Sequence, residues 1–138
     1  MDDTRTLAAA KIRSVLLVED DELVRERLQL LFERVGLDMH SAPTAAAARA
    51  AMSAVVFPIV VIDRMLPGEI DGIQLIQEFR RRYSDHRVFL FVYSTMDSPE
   101  ALEQGLAAGA DDYLSKKLPD EELLRRVRTA MHLVQLSV

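Results

Sequence analysis

A run of four β-branched residues, 59–62, ends abruptly in Asp63 and constrains the fold more than any other stretch of the chain. A continuously apolar run of this length is typical of a strand that is buried on both faces, as in the centre of a parallel sheet. Arg64, Pro67 and Gly68 then break the pattern, so we expect the strand to end near Asp63. Open α/β sheets form their sites at the carboxyl ends of the strands. The sequence therefore predicts a carboxylate at the site-forming edge of a central strand.

The composition is that of a globular chain long enough to form its own core. Of its 138 residues, 49% are hydrophobic and 28% are charged, with a net charge of −5. This acidic balance argues against binding to nucleic acid, which usually requires a basic face. The absence of cysteine excludes disulfides and thiolate sites and fits a reducing compartment. The longest apolar run, 54–62, is too short to span a bilayer and the first residues are acidic, so we expect a cytoplasmic location and no membrane attachment.

The chain alternates between predicted strands and predicted helices. Residues 1–13 lack a clear period and are interpreted as a mobile N-terminal tail, which is followed by one domain over 14–138. Strands are predicted at 14–18, 37–42, 59–63, 88–93 and 112–115. Helices are predicted at 22–35, 45–52, 72–83 and 99–108, and a last one begins at Pro119. Such alternation predicts a doubly wound parallel sheet with helices on both faces, and it brings all the strand ends to one edge.

Polar residues follow four of the predicted strands. They are Glu19 and Asp20, then Asp63, then Ser94 and Thr95, and finally Lys116. Carboxylates that lie close together repel one another unless a cation is among them, and Mg²⁺ prefers such oxygen ligands. No softer site is expected, because the histidines are scattered and are interpreted as surface residues: His40, His86 and His132. A carboxylate nucleophile with a metal ion, a hydroxyl and a lysine indicates phosphoryl transfer.

Four segments of the chain match a known family. They are 15–21 with its acidic pair, 61–72 around Asp63, the isolated Ser94, and 109–116, which ends in Lys116. Through these segments the sequence resembles the receiver domain of two-component response regulators, over about residues 12–136. The resemblance implies a flavodoxin-like α/β fold, a doubly wound five-stranded parallel sheet of strand order 2-1-3-4-5 flanked by five helices.

The resemblance also implies roles for individual residues. Asp63 corresponds to the phosphoacceptor, and the acidic pair, Asp63 and the Met65 carbonyl correspond to the ligands of Mg²⁺. Ser94 corresponds to the switch hydroxyl, Lys116 to the invariant lysine and Tyr113 to an aromatic switch that turns inward on phosphorylation, while Thr95 borders the phosphoryl group. Family members accept a phosphoryl group from a histidine kinase or a histidine phosphotransfer protein. They catalyse only their own phosphorylation and dephosphorylation, and they signal to a downstream protein through the fourth helix, fifth strand and fifth helix, a surface through which some dimerise.

Three departures from the family pattern stand out. The turn at 67–72 is one residue longer than the commonest form, and Thr95 replaces the usual alanine. Lys117 replaces the proline that normally follows the invariant lysine. A cis bond that does not precede proline costs roughly 2.5–4 kcal/mol, so we expect the Lys116–Lys117 bond to be trans. We expect the altered loop to narrow the choice of phosphodonor.

The sequence argues against several functions other than a phosphorylated switch. An aspartyl-phosphate phosphatase would carry a second aspartate at the position of Met65, and a dinucleotide-binding module would need a glycine-rich turn after the first strand. Two alternatives stay open: a degenerate receiver that acts as an interaction module without phosphorylation, and the receiver part of a longer DNA-binding regulator. The chain ends soon after the last predicted helix, so no part of it is expected to bind DNA.

Overall fold

The computed structural model describes residues 13–84 and 87–136. The tail predicted at 1–13 lies outside the described residues except for Arg13, and so does His86. His40 and His132 are exposed, as predicted. Within the two described stretches, no helix is both long and apolar enough to cross a membrane.

Strands and helices alternate along the chain, as predicted. The strands are β1 (Ser14–Val18), β2 (Asp38–Ala42), β3 (Ile59–Asp63), β4 (Phe89–Ser94) and β5 (Asp112–Ser115). The helices are α1 (Glu22–Glu33), α2 (Ala45–Ala54), α3 (Gly72–Arg82), α4 (Pro99–Ala108) and α5 (Asp120–Leu136). The predicted boundaries differ from these by one or two residues, which is the usual uncertainty at the frayed ends of elements.

The five strands form one parallel sheet in the order β2-β1-β3-β4-β5. This confirms the predicted doubly wound topology. β3 lies between β1 and β4, and all five of its residues are buried, which explains why its sequence is apolar without alternation. Strand order reverses between β1 and β3, so their carboxyl ends border the crevice in which such sheets place their sites.

Two hydrophobic layers cover the sheet, one on each face. Alternate residues of the central strands point into different layers, as shown by Leu16 and Val60 on one side and Leu17 and Val61 on the other. Helices α2, α3 and α4 pack on the first side, and α1 and α5 pack on the second. Burying one valine or leucine side chain contributes about 1.5–3 kcal/mol to the stability of the fold. The two layers together therefore hold the strand ends in place.

Identifiable residues end α1 and begin α5. α1 ends at Glu33, and Gly36 at φ +78° completes a Schellman motif in which the Leu37 N–H donates to the Phe32 carbonyl at 3.0 Å. α5 begins at Asp120, one residue later than predicted. Pro119 stands just before the helix, and its carbonyl accepts the N–H of Leu123 at 3.0 Å.

The start of α3 is packed directly against the end of β3. Asp71 caps the helix and forms a capping box with Gln74. A Cβ atom at Gly72 would lie 2.1 Å from the Asp63 carbonyl oxygen and 2.7 Å from Arg64 Cα, so only glycine fits there. The longer turn before α3 therefore leaves the backbone around Asp63 tightly held.

Candidate functional site

Asp63 is the last residue of β3, and both oxygens of its buried carboxylate have donors. The Met65 N–H donates to Oδ1 at 3.0 Å. This bond closes an Asx-turn, in which an aspartate side chain accepts from the backbone two residues further along the chain. The Lys116 ammonium donates to Oδ2 at 3.2 Å from the loop after β5. Only 4% of Asp63 is exposed, so its carboxylate is held in one orientation at the crevice.

Glu19 and Asp20 are adjacent in sequence but occupy different environments. Glu19 is completely buried, whereas Asp20 is exposed. The guanidinium of Arg25 in α1 donates to both of their backbone carbonyls at 3.0 Å, and the Glu19 N–H donates to the Ala42 carbonyl at 3.0 Å. One carboxylate oxygen from each of Glu19, Asp20 and Asp63 lies within 4.8 Å of the others. The predicted acidic cluster is therefore present.

The donor set of this cluster fits a hard divalent cation. Glu19 Oε1 accepts from Lys116 Nζ at 2.8 Å, but Glu19 Oε2 is buried with no hydrogen-bond partner in the described chain. Leaving a buried acceptor unpaired costs about 1–3 kcal/mol, and more for a charged group. A metal ion bound by Glu19, Asp20 and Asp63 would satisfy that oxygen with the ligand type that Mg²⁺ prefers.

Burial and the neighbouring charges shift the ionisation of the site. Burial, reinforced by Asp63, raises the pKa of Glu19 to about 7 even though Lys116 acts in the opposite direction. For Lys116, burial alone would lower the pKa, but the Glu19 and Asp63 carboxylates outweigh burial and the pKa is raised. Lys116 is therefore a permanent cation beside two acids, one of which titrates near neutral pH.

Lys116 is positioned by both its backbone and its side chain. Its N–H donates to the Ser94 carbonyl at 2.8 Å, and its ammonium lies 5.2 Å from the centre of the Tyr93 ring. The following bond to Lys117 is trans, as expected, since the described chain contains no cis peptide. The Lys117 ammonium points away from the site toward Asp97, 3.5 Å from its carboxylate, and both side chains are largely exposed.

The loop after β4 carries the predicted hydroxyl residues. Ser94 is buried and its Oγ accepts the Met96 N–H at 2.9 Å, so in this structure its hydroxyl is engaged with its own loop. Thr95 is exposed beside it. Two methionines with exposed side chains flank the site, Met65 at 67% and Met96 at 44%.

Tyr113 lies inside the protein in this structure. The residue is buried and its hydroxyl donates to the Met96 carbonyl at 2.6 Å. Gly105 of α4 makes the room, because a Cβ atom there would lie 2.9 Å from Tyr113 Cδ2. The inward ring is therefore an arrangement that the packing of α4 against β5 supports by itself.

Sequence reasoning missed Arg64 and Gly105. In the sequence pattern Arg64 marks only the end of the strand, but in the structure its side chain reaches α4 and the Tyr113 hydroxyl. Its position as a charged residue directly after a buried acid was a signal by which Arg64 could have been found from sequence. Gly105 stands inside the helix predicted at 99–108, and only the position of the Tyr113 ring explains it.

Comparison with known proteins agrees with this geometry. The sequence profile of the response regulator receiver domain matches residues 15–128. The chain is 36% identical over 124 residues to Protein PetR of Rhodobacter capsulatus, an alignment that covers 90% of this chain and 51% of PetR. It is 32% identical over 131 residues to the transcriptional regulatory protein GltR of Pseudomonas aeruginosa, covering 94% of this chain and 53% of GltR. The chain thus spans about half the length of these two curated relatives.

The fold is similar to that of solved receiver domains. The Francisella response regulator 1452 receiver domain superposes with a TM-score of 0.80 at 30% sequence identity, over 87% of this chain and 97% of that chain. The profile match runs from β1 into α5 and so includes the five strands, except for Ser14, and every residue of the acidic cluster. The chain therefore belongs to the family of two-component response regulator receiver domains.

Proposed function

We propose that this receiver domain works by accepting a phosphoryl group on Asp63. The observation that carries the proposal is the environment of its carboxylate, which is buried at the end of β3, bonded by Met65 N–H and Lys116, and bordered by the Glu19 and Asp20 carboxylates. A carboxylate held in this way is a positioned nucleophile next to charges that can neutralise a phosphoryl group.

The transfer itself follows from the chemistry of a phosphohistidine donor on a histidine kinase or a histidine phosphotransfer protein. An oxygen of Asp63 attacks phosphorus and forms the P–O bond of an acyl phosphate. The P–N bond breaks, its electron pair returns to the imidazole, and the released imidazole takes a proton from solvent. Hydrolysis of the acyl phosphate by water later restores Asp63, so the domain catalyses only its own phosphorylation and dephosphorylation.

The side chains around Asp63 have separate parts in this proposal. Glu19, Asp20, Asp63 and the Met65 carbonyl would hold Mg²⁺, which when bound supplies positive charge for the phosphoryl oxygens. Lys116, which lies beside Asp63, donates to a phosphoryl oxygen. The Ser94 hydroxyl gives up its bond with the Met96 N–H and donates to another phosphoryl oxygen. Thr95, which is exposed, limits the access of solvent to the phosphoryl group.

Movement of Ser94 provides a route from the site to the surface of α4, β5 and α5. The Ser94 hydroxyl accepts the Met96 N–H, and the Met96 carbonyl accepts the Tyr113 hydroxyl, so a change at Ser94 reaches the face formed by α4 and β5 through two bonds. We propose that a downstream protein, or a second copy of this chain, binds this face in a manner that depends on phosphorylation. A role in transcription, which GltR carries in its name, is one output that this face could control.

Labelling with acetyl phosphate and Mg²⁺, followed by intact mass spectrometry, tests the proposal. Wild type should gain one phosphoryl group, Asp63→Asn should gain none, and excess chelator should prevent labelling. Asp38→Asn is the matched control, because Asp38 is an exposed aspartate on β2 that pairs only with His40 in the described chain. Labelling of Asp63→Asn equal to wild type would refute the assignment. A wild type that neither acetyl phosphate nor phosphoramidate labels would favour the interaction module that acts without phosphorylation.

A further inference from the structure

Arg64 immediately follows the proposed phosphoacceptor, and its side chain crosses to α4. One guanidinium nitrogen, Nη1, donates to the Ala101 carbonyl at 3.2 Å, and Nη2 donates to the Gln104 side-chain oxygen. Nη1 also lies 3.5 Å from the Tyr113 hydroxyl, at the long limit of a hydrogen bond. A single side chain therefore joins the end of β3 to the first two turns of α4 and to β5.

The backbone of Arg64 is anchored on both sides. Its N–H donates to the Tyr93 carbonyl of β4 at 3.0 Å, and its carbonyl accepts the Gly72 N–H at the start of α3 at 2.9 Å. The close approach of Gly72 to Arg64 Cα leaves no room for the backbone to shift in that direction. The guanidinium therefore extends from a fixed point one residue away from the Asp63 carboxylate.

The acceptors of the Arg64 guanidinium in the described part of the chain are neutral: a carbonyl, an amide oxygen and a hydroxyl. Hydrogen bonds from a charged donor are roughly twice as strong as those between neutral groups. All three acceptors lie on α4 or β5, so these bonds form together only when α4 is packed as it is here and Tyr113 is inside. The interaction is thus specific to one arrangement of the face formed by α4 and β5, which we call the switch face.

The position of Tyr113 shows why such a link has an effect. Its hydroxyl already donates to the Met96 carbonyl at 2.6 Å, so its oxygen is left to accept from Arg64. Gly105 opens the space for the ring but makes no bond to it. We propose that Arg64 is a positioning residue that ties α4 and Tyr113 to the phosphoacceptor strand. Because of this link, the Tyr113 ring on the switch face is mostly inward before phosphorylation. The inference rests on the proposed function, because it assigns Arg64 to the switch that Asp63 would operate.

Fluorine NMR of the chain labelled with 3-fluorotyrosine tests this inference directly. The chain has three tyrosines and no tryptophan, and Tyr113→Phe identifies the resonance of Tyr113. In Arg64→Met the ratio of inward to outward Tyr113 should fall at least about tenfold, the effect of losing roughly one charge-assisted hydrogen bond. Arg64→Lys should recover only part of the loss. It keeps the positive charge, but its ammonium cannot reach all the acceptors that the planar guanidinium reaches. Beryllium fluoride with Mg²⁺, a phosphoryl mimic, should restore the inward resonance in Arg64→Met and change it little in wild type.

Two further variants keep the test decisive. Gln104→Ala removes an exposed acceptor on α4 and should shift Tyr113 in the same direction by a smaller amount, and it carries the test if Arg64→Met does not fold. Arg49→Met is the matched control, since Arg49 pairs with Glu78 far from β5, and it should leave the Tyr113 resonance unchanged. An unchanged Tyr113 resonance in folded Arg64→Met, or in Gln104→Ala if the former is unfolded, overturns the inference. Labelling of Asp63 is measured separately: an unlabelled wild type with a shifted Tyr113 in Arg64→Met rejects the proposed function and leaves the link intact.

Discussion

Lys116 donates a 2.8 Å hydrogen bond to Glu19, which is shorter than its 3.2 Å bond to Asp63. The lysine is therefore shared between two carboxylates. It also competes with any cation that those carboxylates bind, because its ammonium occupies one oxygen of each. A phosphoryl group on Asp63 would add negative charge and draw the ammonium toward it, and this would release Glu19 for the metal ion.

This sharing predicts that Lys116→Met binds Mg²⁺ more tightly than wild type. The substitution removes a positive charge and frees one oxygen each on Glu19 and Asp63, so we expect the affinity at pH 8 to rise at least about threefold. Isothermal titration calorimetry measures it. Lys117→Met is the control, because that ammonium pairs with Asp97 away from the cluster and its loss should change the affinity much less. Weaker Mg²⁺ binding by Lys116→Met would contradict the competition.

Mg²⁺ affinity should fall as the pH falls from 8 to 6. Burial and Asp63 raise the pKa of Glu19 to about 7, so this carboxyl is ionised above that pH and protonated below it, where the proton competes with the metal. One competing proton weakens binding by up to about tenfold per pH unit below the pKa. Titrations of Glu19→Gln should show weaker binding at pH 8 and no slope around pH 7. If wild type and Glu19→Gln show the same slope, a group other than Glu19 is responsible.

Gly105→Ala should destabilise the domain only while Tyr113 is present. Alanine improves helix propensity by about 1 kcal/mol, but its Cβ would meet the Tyr113 ring at 2.9 Å, and overpacking costs typically 1–3 kcal/mol. We expect a net loss of about 1 kcal/mol in the free energy of unfolding in urea. With Tyr113→Ala as the background, the same change should be neutral or stabilising. Additive effects of the two substitutions would show that the ring does not occupy this space.

The phosphoryl group on Asp63 should be long-lived. Met65 and Met96 expose apolar side chains beside the site, and neither can orient a hydrolytic water. Met96→Glu should therefore shorten the half-life measured after removal of acetyl phosphate, by several-fold. A wild-type half-life of seconds, or a half-life that Met96→Glu leaves unchanged or lengthens, would argue against this role of the methionines.

The features predicted from sequence are those that depend on local pattern. The apolar run that ends in Asp63 was enough to predict a buried central strand, and alternation with amphipathic helices was enough to predict the parallel sheet and its site-forming edge. The structure brings Glu19, Asp20, Asp63 and Lys116 together at that edge because parallel strands align their carboxyl ends.

The features that were missed depend on packing between distant segments. Glu19 and Asp20 are equivalent as a sequence pattern, and only the fold makes one buried and the other exposed. The inward position of Tyr113 depends on Gly105 and the Met96 carbonyl, and the reach of Arg64 depends on where α4 packs. No periodicity in the chain encodes such contacts, since each joins residues from different elements.

Locating the acyl phosphate is the most direct test of the proposed function. Borohydride reduces an aspartyl phosphate to homoserine, so the modified position can be read by mass spectrometry of peptides after labelling with acetyl phosphate and Mg²⁺. We predict homoserine at position 63 alone, with none in Asp63→Asn or in wild type treated with chelator. Homoserine at Asp20 or at any other aspartate of wild type, with Asp63 unmodified, would contradict the account.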